Sequence, residues 1–100
     1  KMLQNIKVDK SFLGTSGIDS SFGYSDPNLN DSALKEAALK ASRLHFILAD
    51  HTKFNESYIG KFADFRDTVD YLITDSIPKS IDLSVYEEAV NLVIADRIIY

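Results

Sequence analysis

The sequence predicts one small α/β domain with a mainly parallel β-sheet flanked by helices. Short apolar runs and helical patterns follow one another in the order strand, helix, strand, connection, strand, helix, which is typical of a parallel sheet. The run HFILA, residues 45–49, is apolar after its first residue, as in strands buried on both faces of a covered sheet. A chain of 100 residues, 45% of them hydrophobic, has room for one such core.

The first strand is predicted over residues 6–13, where Ile6, Val8 and Phe12 supply the apolar positions, and it ends at Gly14. Residues 14–30, GTSGIDSSFGYSDPNLN, are rich in Gly, Ser, Asn and Asp and predict a long loop. Loops of this length inside compact domains are usually functional or disordered. We therefore expect residues 14–30 to be functional and to be the segment that moves on signalling.

Residues 31–44, DSALKEAALKASRL, predict a helix, with Asn30 or Asp31 as its N-cap. Its expected apolar stripe comprises Leu34, Ala37, Ala38, Ala41 and Leu44. Glu36 and Lys40 form an i,i+4 pair in the favourable order.

After the second strand, residues 57–63 predict a shorter or edge strand around Gly60, and residues 69–75, VDYLITD, predict a further strand. Pro78 interrupts the chain before a helix that is expected from about Leu83. The last segment, VIADRIIY, is equally compatible with an extension of that helix and with a returning strand.

Composition excludes several classes of function. The net charge of −4 and the dispersed lysines argue against a nucleic-acid surface on these residues. No cysteine is present for disulfides or thiolate metal sites, and the two histidines match no metal-ligand spacing, so we expect no metal. No apolar run is long enough for a membrane span, and KMLQNIKVDK lacks the apolar region of a signal peptide, so a cytoplasmic protein is expected.

Polar residues follow three of the predicted strands: GTSG, DHTK and TDS. Ligands of open parallel sheets bind beyond the carboxyl ends of the strands, so these three segments would share one ligand-binding edge. Asp50 and Lys53 are either a ligand-holding pair or a solvated turn. His51 has no G-x-S-x-G nucleophile elbow to serve and is not expected to be catalytic, and His45 within an apolar run predicts a hydrogen-bonded structural histidine.

The GTSG segment, Gly14 to Gly17, offers backbone amides and two hydroxyls of the kind that cradle phosphate or sugar oxygens. A simple glycine-rich turn is the alternative, because the segment matches neither G-x-G-x-x-G nor a Walker loop. Lys35, on the predicted helix, could point to the same edge or be solvated.

The ordered motifs VDKSFLGTSGID, GYSDPN, DSALK, LADHTKF and VDYLITD resemble the sensor domain of DeoR-type bacterial transcription regulators. The resemblance covers residues 6–76, and LADHTKF is its most specific motif. The matching positions are Asp9, Phe12, Leu13, Gly14, Gly23, Ser25, Asp31, Lys35, Asp50, Lys53, Phe54 and Asp75. Asp31 departs from the family pattern, in which glutamate is more usual.

The resemblance implies a fold related to ribose-5-phosphate isomerase and the CoA transferases, and a sensor that binds a phosphorylated sugar. It also implies that residues 1–100 are the C-terminal part of the effector-binding domain, without the first half of the sensor and without the N-terminal DNA-binding domain. Operator DNA would be bound only through that absent domain, and the full-length protein would be a homo-oligomer. No cofactor and no membrane partner are expected.

The related isomerases carry aspartates in the loop after the first strand of this segment, whereas here no carboxylate occurs before Asp19. Proton transfer needs a positioned base, so we expect a repressor's sensor and not an enzyme. The expected effector-binding residues are Gly14, Thr15, Ser16, Gly17, Lys35, Asp50 and Lys53. The alternatives are a fragment of a phosphosugar isomerase-like enzyme and an α/β fragment with no ligand site of its own.

Overall fold

A four-stranded parallel sheet forms the centre of the domain in the computed structural model, which describes residues 7–95. Its strands are β1 (Val8–Gly14), β4 (Ser42–Leu48), β6 (Tyr71–Thr74) and β7 (Asn91–Ile94). They lie side by side in the order β1-β4-β6-β7, and each neighbouring pair is parallel. The sheet confirms the predicted α/β class with a mainly parallel sheet.

A second, antiparallel sheet occupies most of the segment that was predicted to be a long loop. It has the order β2-β3-β5, with β2 (Gly17–Asp19), β3 (Gly23–Asp26) and β5 (Gly60–Ala63). The prediction of a loop over 14–30 was wrong because two strands of three and four residues lie within it. Their side chains are small and polar apart from Ile18 and Tyr24, which are both fully buried.

Helix α1 (Leu29–Ala41) begins two residues before the predicted start and ends three residues before the predicted end. Asn28 is the N-cap, in place of the predicted Asn30 or Asp31, and its side chain accepts hydrogen bonds from the backbone N–H groups of both. Ser42 ends the helix in extended conformation and starts β4 directly.

The buried face of α1 differs from the predicted stripe. Leu39 and Ala41 are buried, whereas Leu34 is 63% exposed and Leu44 lies on β4. The predicted stripe was therefore right at Ala41 and wrong at Leu34 and Leu44, and it left out Leu39.

One face of the parallel sheet carries the core. Ile47 of β4 and Leu72 of β6 are fully buried there and belong to a single apolar cluster with α1, the antiparallel sheet and α2 (Leu83–Ala89). The other large members of that cluster are Ile18, Tyr24, Leu39, Phe54, Phe62, Phe65 and Tyr86. Leu13 of β1 packs against the same cluster, so β1, β4 and β6 each have one face against the core.

The opposite face of the parallel sheet is open to solvent. Phe12, Phe46 and Tyr71 stack on one another across three strands of that face, and Phe12 is 55% exposed. Leu44 and Leu48 are exposed on the same face, so the prediction of a strand buried on both sides was wrong. Helices cover only one face of the sheet within residues 7–95.

The C-terminal elements follow the prediction closely. Strand β5 includes Gly60, β6 lies within the predicted 69–75 segment, and α2 begins at Leu83. Strand β7 begins at Asn91, takes Val93 and Ile94 from the ambiguous last segment and is parallel to β6, while residues 96–100 and Ile6 lie outside the described part of the chain. No helix in that described part is long and apolar enough to cross a membrane.

Candidate functional site at the carboxyl ends of the parallel strands

Three polar segments follow strands β1, β4 and β6 at one edge of the parallel sheet. We call Gly14–Ser16, Asp50–Lys53 and Asp75 together the rim. Gly14 pairs with Leu48, and Leu48 pairs with Ile73, so the three strands end side by side. The predicted common edge is therefore present in the fold.

The first two segments of the rim converge again after they leave their strands. Ile18 and Phe54 form a parallel bridge, and the backbone N–H of Asn55 donates to the carbonyl of Ile18 at 2.8 Å. The stretches 14–18 and 48–54 are thus held together at both ends.

Within the first segment, Thr15 is turned inward. Thr15 is only 6% exposed. Its hydroxyl donates to the carbonyl oxygens of Gly17 at 2.9 Å and of Ser25 at 3.2 Å. The hydroxyl proton of Thr15 is therefore committed to the protein itself.

Gly17 is also fixed by packing. A Cβ atom added at this position would clash with the backbone carbonyl of Glu56 and touch the ring of Tyr58. The absence of a side chain at Gly17 lets the antiparallel sheet approach the chain around residue 56. Gly14 is different, since a Cβ there would meet only the carbonyl oxygen of Leu48, at 4.0 Å.

A buried carboxylate joins the first segment to α1. Asp26, at the end of β3, is 4% exposed and accepts a hydrogen bond from the backbone N–H of Ser16 at 2.8 Å. Its other oxygen lies 2.5 Å from the Nζ atom of Lys35, and that ammonium also donates to the carbonyl of Gly14 at 2.8 Å. The Asp26–Lys35 contact is an ion pair between oppositely charged side chains.

Asp26 was not identified from the sequence as a functional residue. It stands in Asp26-Pro27-Asn28, a sequence typical of a turn before a helix. Only the helical position of Lys35, nine residues further along the chain, brings a cation to this carboxylate. The spacing offered no signal of that contact.

The second segment forms a short 3₁₀ helix, His51–Lys53, with Asp50 as its N-cap. The Asp50 carboxylate accepts hydrogen bonds from the Thr52 hydroxyl and from the Thr52 backbone N–H, the latter at 2.8 Å. Both contacts hold the pKa of Asp50 below its usual range, and the nearby charge of Lys53 adds to the effect. Asp50 is exposed and is therefore an ionised acceptor at neutral pH.

Lys53 is half-buried, and its ammonium forms no ion pair within 4 Å with a carboxylate of residues 7–95. It differs in this respect from Lys35. Asp50 and Lys53 are neighbours in the rim but form no ion pair, and the two Thr52 hydrogen bonds use only the Oδ1 atom of Asp50.

Asp75 joins the second segment of the rim to the end of β6. Its carboxylate accepts from the backbone N–H of His51 at 2.8 Å and from that of Ser76 at 2.9 Å, and it lies 3.0 Å from Nδ1 of the His51 ring. The hydrogen bond with the His51 ring lowers the pKa of Asp75, and the two backbone N–H groups act in the same direction. His51 thus holds the Asp75 carboxylate in a fixed orientation.

His45 has a structural environment, as predicted. Its Nδ1 atom is 2.5 Å from the carbonyl oxygen of Thr68, and its Nε2 atom is 2.9 Å from that of Ser42. These contacts lie at the amino end of β4, away from the rim.

Two clefts open at the opposite edge of the sheet. One is lined by Leu39, Lys40, Phe62, Asp64 and Thr68, and the other is lined by Asp67, Asp70, Glu87, Glu88 and Asn91. Neither contains a residue of the rim. Within residues 7–95 no group of three acidic or imidazole side chains is placed to hold a metal ion.

The comparisons with known proteins agree on one family. Residues 1–76 match the model of the DeoR C terminal sensor domain. The chain is 35% identical over 65 residues to the HTH-type transcriptional regulator FruR of Bacillus subtilis, covering 65% of this chain and 26% of FruR. It is 29% identical over 94 residues to the glycerol-3-phosphate regulon repressor of Haemophilus influenzae, covering 94% of this chain and 36% of the repressor.

The chain spans about a third or less of the length of these relatives, both of which are named as transcriptional regulators. The family match confirms the resemblance seen in the sequence, and it confirms that the domain is of a regulator's type and not an enzyme's. The chain belongs to the DeoR C-terminal sensor domain family, whose fold is related to ribose-5-phosphate isomerase.

Proposed function

We propose that the chain is the effector-binding part of a transcriptional repressor that responds to a phosphorylated sugar, and that the rim is its effector site. The family assignment supports an effector-binding role. The name of the Haemophilus influenzae relative, a glycerol-3-phosphate regulon repressor, contains a phosphorylated compound and so supports the phosphate group of the proposed effector.

The observation that carries the proposal is the side-by-side position of ionised acceptors and a cation at the carboxyl ends of the parallel strands. Asp50 and Asp75 have lowered pKa values and remain charged at neutral pH, so their free lone pairs can accept hydrogen bonds from sugar hydroxyls. Lys53 is close enough to Asp50 for its charge to lower that pKa, forms no ion pair with the described residues, and supplies the charge that a phosphate requires.

The charge balance of the rim supports a shared site. Lys35 is neutralised by Asp26, which leaves one lysine of the rim, Lys53, and the two exposed acids Asp50 and Asp75. A phosphate group carries nearly two negative charges at neutral pH, more than Lys53 alone can balance. We infer that a preceding half of the sensor, encoded upstream in the full-length protein, completes the phosphate site.

In the full-length regulator, operator DNA would be bound by a separate N-terminal domain. The effector can alter that binding only if it has different affinities for the two arrangements of the sensor. The rim is a suitable place for such a difference because it joins three strands and the start of the antiparallel sheet.

Calorimetric titration of the full-length regulator with hexose and pentose phosphates tests the proposal. A Lys53→Ala variant should lower the affinity for the active sugar phosphate by about tenfold or more, because a charge-assisted contact is lost. Lys40→Ala is the matched control, since the Lys40 side chain is 77% exposed at the opposite edge and its one ion pair among residues 7–95 is with Glu36 at 3.8 Å.

Two outcomes would contradict the proposal. Unchanged affinity in the Lys53→Ala variant would remove Lys53 from the site. Absence of heat with every hexose and pentose phosphate would reject the phosphorylated sugar as effector and favour a fragment without a ligand site of this kind.

A further inference from the structure

We propose that Asp26 is the positioning residue of the effector site, and that it commits Lys35 to the protein instead of to the ligand. This inference rests on the proposed function of the rim. The sequence predicts that Lys35 binds the effector directly. We assign it instead the role of holding Asp26 in place.

The first support is the burial of Asp26. A carboxylate that is 4% exposed must be compensated by hydrogen bonds and by a cation, because an isolated buried charge is very costly. Asp26 obtains one hydrogen bond from the backbone N–H of Ser16 and one cation from Lys35. Removal of the cation would leave a buried charge, so Lys35 is not free to follow a ligand.

The second support is the set of elements that meet at this carboxylate. Asp26 ends β3, Ser16 lies in the segment after β1, and Lys35 lies on α1. The Lys35 ammonium also donates to the carbonyl of Gly14, so the segment is held at Gly14 and at Ser16. One ion pair therefore fixes the segment 14–16 against α1 and the antiparallel sheet.

The third support is the contrast with Lys53. The ring of Phe62 lies under Lys35, with Nζ 5.3 Å from its centroid, and this contact adds to the two polar contacts of the same ammonium. Lys53 has no such set of partners among the described residues. An anionic group of the effector would therefore be placed at Lys53, and the segment 14–16 would meet the uncharged part of the molecule.

Variants of the full-length regulator should lose affinity for the effector and stability to different extents. Asp26→Ala and Lys35→Met should each weaken binding of the active sugar phosphate by about tenfold, because the segment 14–16 loses its position. Lys35→Met should also lower the unfolding midpoint in urea, since it leaves Asp26 buried without a cation. The double variant Asp26→Ala/Lys35→Met should have a higher unfolding midpoint than Lys35→Met alone, because no buried carboxylate remains. It should still bind the sugar phosphate weakly.

Lys35→Arg keeps the cation and should restore binding relative to Lys35→Met. If the double variant regained both stability and wild-type affinity, or if the single variants bound normally, Asp26 would have no positioning role.

An exchange measurement tests the same inference without any ligand. Amide hydrogen exchange should be slow at Ser16 in the wild type and fast in Asp26→Ala, while Tyr58, whose N–H donates to the Ser25 hydroxyl at 2.9 Å, stays protected. Fast exchange at Ser16 in the wild type would overturn the inference. If no sugar phosphate binds, the proposed function fails, and the exchange rates still decide whether Asp26 holds Ser16.

Discussion

The two polar loops Gly14–Gly17 and Asp50–Lys53, which contain most of the rim, both follow a strand of the parallel sheet and have opposite structural roles. In the first loop the Thr15 hydroxyl, the Ser16 amide and the space at Gly17 are all used by the protein itself. In the second, Asp50 is exposed and Lys53 has no ion pair to the described residues. A polar segment after a strand therefore predicts a position in the fold, and the tertiary contacts decide whether its groups are free for a ligand.

Mutations in the two loops should therefore have different effects. Substitutions in the first loop should mainly lower the unfolding free energy, and substitutions in the second loop should mainly lower the affinity for the effector. Asp26 connects the two properties, because its contacts both stabilise the first loop and set its position at the site.

The largest expected effect on stability in this comparison is that of Gly17→Ala. The new methyl group would clash with the Glu56 carbonyl, and such overpacking costs about 1–3 kcal/mol of unfolding free energy. Gly14→Ala is the matched control in the same loop and should change the unfolding free energy by less than about 0.5 kcal/mol, because its Cβ would meet only the Leu48 carbonyl oxygen, at a van der Waals distance of 4.0 Å. Urea denaturation of both variants measures the difference, and equal losses would show that Glu56 does not limit position 17.

A smaller effect is expected from removal of one hydroxyl in each loop. Thr15→Val should lower the unfolding free energy by about 1–2 kcal/mol, because the buried carbonyls of Gly17 and Ser25 lose their donor. Thr52→Val removes an exposed hydroxyl that bonds to Asp50 and should cost less than about 0.5 kcal/mol. A larger loss for Thr52→Val than for Thr15→Val would reverse the proposed division between the loops.

Three of the four strands of the parallel sheet, β1, β4 and β6, and the edge at which they end could be predicted from the sequence, whereas β7 could not be told from a helix extension. Apolar runs at Phe12, Phe46 and Leu72 give the strands, and the acids and hydroxyls that follow give their carboxyl ends. The 3.6-residue periodicity located α1, although Asn28 and Ser42 set its ends through side-chain and backbone capping that the pattern does not reveal.

Other features depend on contacts between residues that are far apart in the sequence. The strands β2 and β3 are short and rich in small polar residues, so their composition is that of a loop, and they become strands only because they pair with each other and with β5. Apolar composition alone could not show that Phe46 and Leu48 are on an open face, since exposure depends on which face the helices cover. The ion pair of Asp26 with Lys35 likewise requires the fold.

Amide chemical-shift mapping of the full-length regulator with the active sugar phosphate tests the central claim most directly. If the rim is the effector site, the largest shift changes should occur at Ser16, at His51–Lys53 and at Ser76, whose amide donates to Asp75. Changes concentrated instead at Lys40, Asp64 and Thr68, in a cleft at the opposite edge of the sheet, with the rim unaffected, would contradict the claim.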